Sequence, residues 1–142
     1  MLNSTDVLSY RTTSHNASLS FEIRVNDRPI GEFFYGKSAE ENTTPVPFRL
    51  FRSGLGIQPV QLLGADPEKK VVAVCSCGQW GCGSVRCDVV KSWDNKVVFT
   101  EFTVDPMHSK PFDRSVKFVF LENNYDAVAS SIFREVNEYK GV

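Results

Sequence analysis

The sequence lacks the features that mark secreted, membrane-bound or nucleic-acid-binding proteins. Its formal net charge is only −1 over 142 residues, and the lysines and arginines are scattered, so no basic patch points to nucleic acid or to an anionic membrane. No apolar run approaches the roughly 18 residues of a membrane span, and the first residues do not combine a basic segment with an apolar one. These absences predict a cytoplasmic protein with no nucleic-acid or membrane partner.

The sequence also gives little support for a phosphate-binding loop or for a site built on histidine. The glycines Gly78, Gly81 and Gly83 are not followed by the Lys-Ser/Thr pair of a phosphate-binding loop, and they lie between two predicted strands with no helix to follow. The chain has only two histidines, His15 and His108. Nothing in the sequence brings His108 near a cysteine, so we interpret both histidines as solvated loop residues.

The sequence is rich in cysteine over one short stretch and in phenylalanine throughout. All four cysteines fall within residues 71–87, VVAVCSCGQWGCGSVRC, and eleven phenylalanines raise the aromatic share to 12%. Aromatic residues favour sheet. Because thiols stay reduced in the cytoplasm, clustered cysteines indicate metal binding, redox chemistry or burial before they indicate structural disulfides.

Hydrophobic periodicity predicts the strands. The clearest is SLSFEIRV, where apolar and polar residues alternate from Ser18 to Val25 as on a half-buried strand. Predicted strands are 18–25, 30–35, 71–77, 84–91, 96–104 and 115–121. The first two are expected to form an opening hairpin through the turn after Val25, and the strands from 71 to 104 an antiparallel meander.

Two helices are predicted between and after these strands. Residues 36–57 are either a mobile functional loop or include a short helix, PFRLF, begun by Pro47, which we favour. Apolar residues recur at helical spacing over 124–140, with Asn124 as the N-cap and Gly141 placed to end the helix. The expected architecture is one α+β domain over 1–142, a mainly antiparallel sheet of about six strands with the C-terminal helix packed on one face.

A zinc site is the leading chemical hypothesis for the cysteine stretch. Zinc takes about four nitrogen or sulfur ligands in a tetrahedron, and four cysteines meet that count: Cys75, Cys77, Cys82 and Cys87. Their spacing is not the paired C-x2-C of zinc ribbons. Side chains alternate along a strand, so Cys75 and Cys77 share a face and can converge on one ion only if the strand bends at Gly78.

Other interpretations of the same stretch remain open. Cys77 and Cys82 could exchange between dithiol and disulfide, but a reactive thiol needs a neighbouring cation, helix N-terminus or metal. The cysteines could also simply pack, since Cys87 lies on the apolar face of its strand. Trp80, at the predicted tip, is either a binding hot spot or a cover for its own strands. Glu101 is interpreted as an edge charge rather than a buried base.

The segment CSCGQWGCGS resembles a signature in a group of small uncharacterised bacterial proteins. In that group a hydrophobic strand ends in two close cysteines and a glycine, followed by a Gly-Cys-Gly tip; the matching residues here are Cys75, Cys77, Gly78, Gly81, Cys82 and Gly83. The relatives usually separate the first two cysteines by two residues and often carry an acid at the position of Gln79. The resemblance implies a bacterial origin, a shared fold and three cysteines acting as a set, with Cys87 outside it.

Three functional hypotheses follow. The first is a non-catalytic binding or structural domain whose tip holds zinc, and the second a metal- or thiol-dependent enzyme that uses the same cysteines. The third is a small partner-binding protein, such as an immunity or accessory protein, that presents Trp80 and the 36–57 loop. The sequence does not determine the substrate, the partner or the oligomeric state.

Overall fold

The computed structural model describes residues 5–15, 18–35, 43–59, 64–65, 68–75, 84–104 and 116–139. Over these ranges the chain forms short and long strands in two sheets and three helices. The strands are β1 (Leu8–His15), β2 (Ser18–Val25), β3 (Arg28–Pro29), β4 (Thr43–Thr44), β5 (Val46–Pro47), β6 (Gly64–Ala65), β7 (Lys70–Cys75), β8 (Ser84–Lys91), β9 (Lys96–Val104) and β10 (Phe118–Leu121). The helices are α1 (Glu32–Tyr35), α2 (Phe48–Arg52) and α3 (Glu122–Glu138).

The two sheets are joined at both sides. One has the order β10-β9-β8-β7-β4 with β6 beside β8, and the other has the order β1-β2-β3 with β5 beside β2. Pro45 carries the chain from β4 in the first sheet to β5 in the second. On the other side the Asp6 amide donates to the Val119 carbonyl at 2.7 Å. The sheets therefore curl into a half-barrel against which α3 packs, which confirms the predicted α+β fold.

Alternation places the core on the inner face of the curled sheet. On β8, Val85, Cys87 and Val89 are buried while the residues between them are half-buried. The Phe99 ring on β9 lies at the centre of this face, with its centroid 4.9 Å from that of Phe120 and 5.9 Å from that of Tyr125 on α3. The inner face of α3 is buried in the core: Tyr125, Val128, Ala129, Ile132 and Val136. The predicted stripe included Tyr139 in place of Ala129, and Tyr139 is half-buried and follows the helix.

Several predicted elements are confirmed. The strands at 18–25, 84–91 and 96–104 have the predicted limits, and β7, β8 and β9 form the expected antiparallel meander. The short helix α2 begins directly after Pro47, whose φ of −70° already suits a helix start.

The predicted strand at 30–35 is wrong, because Glu32–Tyr35 forms one helical turn. Two adjacent phenylalanines explain the difference. Phe33 packs edge-on against Phe118, and Phe34 packs at a tilt against Phe102, each at a centroid distance of 4.9 Å. Neighbouring side chains on a strand point to opposite faces, so a strand could not deliver both rings to the same aromatic cluster.

β1 was not predicted from the sequence, and the predicted start of α3 at Asn124 is wrong. β1 pairs with β2 along its whole length, from Leu8 opposite Val25 to His15 opposite Ser18. The residue that precedes α3 is Leu121, and Asn124 is not its N-cap. The Asn124 side chain instead accepts from the Leu8 amide at 2.8 Å and donates to the Leu8 carbonyl at 3.0 Å. α3 ends at Glu138 with Tyr139 as its C-cap, so it ends before Gly141, which itself lies outside the described residues.

A second contact holds α3 beside β1. The Tyr10 hydroxyl donates to the Glu135 carboxylate, and the Thr12 hydroxyl lies 3.0 Å from Glu135 Oε1. Burial and the hydrogen bond to Glu135 raise the pKa of the Tyr10 hydroxyl. Together with Asn124, these bonds attach both ends of α3 to the same strand.

The turn between β8 and β9 is a three-residue hairpin loop with an unusual carboxylate. Ser92 donates its amide to the Lys96 carbonyl at 2.8 Å, and Asn95 takes the left-handed conformation, with φ of 61°, that such loops require. Hydrogen bonds from the Ser92 hydroxyl and the Lys96 ammonium lower the pKa of Asp94 to about 2. The carboxylate is therefore ionised across the ordinary pH range.

Replacing Ser92 by alanine is expected to raise the pKa of Asp94 towards its ordinary value of 3.8, since the serine hydrogen bond is the largest cause of the shift. A lowered pKa in the folded state stabilises the protein above pH 3.8, and this contribution is lost as the pH falls towards 2. An NMR titration of the Asp94 carboxyl carbon tests this, with Ser131→Ala as the control. A pKa that stays near 2 in Ser92→Ala would contradict the assignment.

Candidate functional site at the base of the cysteine hairpin

The strands β7 and β8 form the arms of the hairpin that carries the cysteines. They pair in antiparallel register up to Val74 opposite Ser84. Val71 to Val74 are all buried, as expected of a strand covered on both faces. Cys75 is the last residue of β7, and its backbone pairs with Thr43 on β4. The ladder between β7 and β8 therefore runs up to the pair of Val74 and Ser84, and Cys75 is the next residue of β7.

Most of the tip lies outside the described residues. Cys77, Trp80 and Cys82 fall within 76–83, and His108 falls within 105–115, so the structure bears on none of these four predictions. They remain predictions from the sequence. Of the candidate metal ligands, the structure describes the backbone of Cys75 and the whole of Cys87.

Cys87 lies away from the tip, in the core. It is completely buried, is not in a disulfide and stands opposite Lys70, five residues before Cys75 on β7. With a rise of about 3.3 Å per residue, and allowing for one bulged residue, Cys75 and Cys87 are roughly 13 Å or more apart along the strand. Thiolates that share a zinc ion each lie about 2.3 Å from it. The predicted four-cysteine site therefore cannot contain both residues.

The cations near the cysteines in sequence have other roles in the fold. Lys69 Nζ donates to the Glu101 carbonyl at 2.6 Å and lies 3.3 Å from Asp88 Oδ1. Lys70 is buried, and its Nζ donates to the Gly54 carbonyl at 2.6 Å. Lys70 is the first residue of β7 and Lys69 directly precedes it, so both lie at the end of this strand away from Cys75.

Arg86 is the described cation whose register lies nearest to the tip. It stands two residues after Ser84 and pairs with Val71 and Thr103. Its Nε is buried, and no hydrogen-bond partner for it is present among the described residues.

Glu101 is exposed, and it lies beyond the part of β9 that pairs with β10, which runs from Lys96 to Phe99. β9 runs between β8 and β10, and the register shift between Arg86 and Asp88 leaves Glu101 in a β-bulge opposite Cys87. Its φ of 53° is a left-handed conformation that costs energy for a residue with a side chain. The Lys69 ammonium on its carbonyl stabilises this bulge.

The sequence analysis also missed a small cavity of about 90 Å³ where the two sheets meet. Ile23, Val72 and Ala73 form part of its apolar wall, and Glu22 and Glu32 also line it. Each carboxylate already forms an ion pair, Glu22 with Arg24 and Glu32 with Arg28. This volume is about that of three water molecules, well below the roughly 300 Å³ at which ligand pockets begin. The cavity is therefore too small for an organic cofactor.

Gly31 is the residue in the sequence that is connected with this cavity, but its role is visible only in the structure. A Cβ on Gly31 would lie 2.7 Å from Thr43 Oγ1, so glycine allows the two sheets to approach each other there. A single glycine after an isoleucine is not enough to predict such a contact from the sequence.

The described part of the chain contains no group of three or more histidine, cysteine, aspartate or glutamate side chains that could hold a metal ion. None of its helices is long and apolar enough to cross a membrane. Comparisons with known protein families, with curated proteins and with solved structures find no match for this chain.

Proposed function

We propose that the protein is a non-catalytic binding domain whose hairpin tip holds zinc through Cys75, Cys77 and Cys82. The observation that carries the proposal is the pairing of Val74 with Ser84. Residues paired across an antiparallel ladder have Cα atoms about 5 Å apart. The eight residues 76–83 thus connect two strand ends that the sheet holds close together.

Chain length then limits where the thiols can be. Cys77 is two residues after Cys75, and Cys82 is two residues before Ser84. A residue spans at most about 3.6 Å, so each of these cysteines stays within roughly 7 Å of its strand end. Three thiolates at these positions can reach one ion, and a fourth ligand from outside the tip would complete the tetrahedron.

The described surroundings favour a binding role over catalysis. Cys87 is fully buried, which keeps it from acting as an accessible nucleophile. Lys69 and Lys70 are bonded to backbone carbonyls at the opposite end of β7. There are two alternatives. One is a thiol- or metal-dependent enzyme, and the other is a partner-binding protein that presents Trp80.

Native mass spectrometry of freshly purified protein, with and without chelator, tests the proposal. We expect one zinc ion per chain, lost in Cys75→Ser and in Cys82→Ser because each change removes a thiolate ligand. The matched control is Cys87→Ala, which removes a cysteine of the same stretch but is expected to keep the metal.

Three results would count against the proposal. Zinc-free wild-type protein after purification in zinc-containing medium would remove its basis. Zinc loss in Cys87→Ala with the fold intact would contradict the division of the cysteines. A thiol in the metal-free tip that reacts rapidly near neutral pH would favour the enzyme alternative.

A further inference from the structure

Arg86, on the central strand β8, carries a positive charge that the described part of the chain does not neutralise. The side chain is half-buried, and its Nε is buried and has no hydrogen-bond partner among the described residues. None of the ion pairs between described residues involves this arginine. A buried donor without a partner is costly, and more so when it is charged. A water molecule satisfies such a nitrogen but does not balance its charge.

The acids closest to Arg86 in the sheet are not paired with it. Side chains two residues apart on a strand share a face, so Asp88 lies on the same face of β8 as Arg86. Its Oδ1 lies 3.3 Å from Lys69 Nζ, so this carboxylate is already paired with the lysine. Glu101 is exposed, and Lys69 bonds its backbone carbonyl rather than its carboxylate. These two acids therefore leave the charge of Arg86 uncompensated.

Two β-bulges flank Arg86, one in each neighbouring strand. In β7 the register shifts between Val71, which pairs with Arg86, and Ala73. In β9 it shifts just before Thr103, the other residue that pairs with Arg86. This second bulge contains Glu101, whose φ of 53° is strained for a residue with a side chain. Bulges re-aim side chains and are over-represented beside functional sites, so the backbone around Arg86 also points to a site.

The neighbours of the guanidinium indicate the ligand that it takes. Arg86 alternates with the buried Val85 and Cys87, so it lies on the outer face of the sheet. Residues paired across a ladder have adjacent side chains on one face, which places Thr103 beside it. Arginine donates two parallel hydrogen bonds to a carboxylate, and a threonine hydroxyl is a further donor. The partial burial of Arg86 strengthens such bonds, because water screens them less.

The charge balance favours a carboxylate over a phosphate. One arginine is uncompensated here, which matches the single negative charge of a carboxylate. A phosphate group carries about −1.5 to −2 charges at pH 7, and the additional charge would be repelled by Asp88 and Glu101. Lys69 does not offset this repulsion, because it is already paired with Asp88.

We propose that Arg86 anchors a binding site for a carboxylate-bearing ligand on the outer face of the sheet. The carboxylate accepts hydrogen bonds from the Arg86 guanidinium, including its Nε, and from the Thr103 hydroxyl. The site is formed by residues of β8 and β9 and does not depend on the zinc tip. Its ligand is either a free organic acid or the C-terminus of a peptide, since both offer the same group.

An NMR titration of the Arg86 Nε–H resonance tests the proposal at the nitrogen concerned. The probes are acetate for a free acid, N-acetyl-dialanine for a peptide C-terminus and inorganic phosphate, all balanced with chloride to constant ionic strength. We expect a saturable shift with at least one of the two carboxylates and weaker binding of phosphate. The tighter carboxylate identifies the source of the ligand. The Nε–H of Arg11, an exposed arginine on β1, is the internal control and is not expected to saturate.

Variants separate the arginine from the metal. Followed at the Thr103 amide, Arg86→Gln is expected to weaken carboxylate binding about tenfold or more, because it removes the charge-assisted pair. Arg86→Lys keeps the charge but not the fork, so it is also expected to bind more weakly than the wild type. Arg11→Gln is the matched control and should bind like the wild type. Cys75→Ser, which is expected to lose zinc, should keep the Arg86 shift.

Four results would overturn the proposal. The first is a response of the Arg86 Nε–H that rises linearly with both carboxylates, as at an exposed arginine. The second is saturable binding that Arg86→Gln leaves unchanged. The third is phosphate binding tighter than either carboxylate. The fourth is a shift that disappears in Cys75→Ser, which would place the carboxylate on the metal. None of the first three bears on whether the tip holds zinc.

Discussion

Replacing Phe99 by alanine is expected to lower the free energy of unfolding by about 3–5 kcal/mol, the usual cost of deleting a buried phenylalanine ring. Phe99 is completely buried. Its ring makes edge contacts with Phe120 on β10 and Tyr125 on α3. The substitution would leave a cavity where the central strand, a neighbouring strand and the helix meet. Chemical denaturation followed by circular dichroism measures the loss.

The neighbouring position provides the control for this experiment. Thr100 is half-buried and pairs with Asp88. Thr100→Ala is expected to change the free energy of unfolding by much less, because substitutions away from the core usually stay within about 0.5 kcal/mol. Equal losses in the two variants would show that the ring of Phe99 is not at the centre of the core.

Replacing Gly56 by alanine is expected to destabilise the protein by about 1–3 kcal/mol, the range seen when a packed core receives an extra methyl group. A Cβ at Gly56 would lie 2.5 Å from Cδ1 of Phe51. Phe51 cannot move away easily, because it is buried and its ring contacts Phe21 at a centroid distance of 5.1 Å. Thermal and chemical unfolding both measure this effect.

A second substitution tests the cause of that loss. Phe51→Leu removes the ring atoms with which the new methyl group collides. The double variant is therefore expected to be more stable than the sum of the two single effects predicts, as for residues in direct contact. Additive losses would show that Gly56 is required for a reason other than its approach to Phe51.

Local sequence patterns were sufficient to predict a strand or helix where one face of that element is apolar. The alternation from Ser18 to Val25 has only one register that buries Phe21 and Ile23, so the strand could be predicted with its limits. The same holds for β8 and β9. Pro47 with the apolar residues after it was likewise enough for α2.

Local patterns failed where a distant contact determines the structure. β1, LSYRTTSH, contains few apolar residues and is a strand because it pairs with β2. Residues 30–35 have the pattern of a strand, but Phe33 and Phe34 both pack into one aromatic cluster, which a strand does not allow. Asn124 looked like a helix cap, but its side chain bonds a backbone 116 residues away.

The candidate sites also differ in how far local sequence patterns could predict them. The tip cysteines are close in sequence, so spacing alone raised the zinc hypothesis. Spacing could not separate Cys87 from Cys75, because that depends on which residue faces Cys87 across the ladder. The cavity between the sheets has no local signal, since Ile23 and Val72 in its wall come from distant parts of the chain.

By itself the sequence determined the meander, the two predicted helices and the candidate ligands at the tip, because apolar periodicity and short spacings act between near neighbours. Only the tertiary structure decided that the sheets curl together, that Cys87 lies opposite Lys70 and away from Cys75, and that Asn124 bonds β1 and does not cap α3. These features depend on strand register and on contacts between distant segments, which no local pattern encodes.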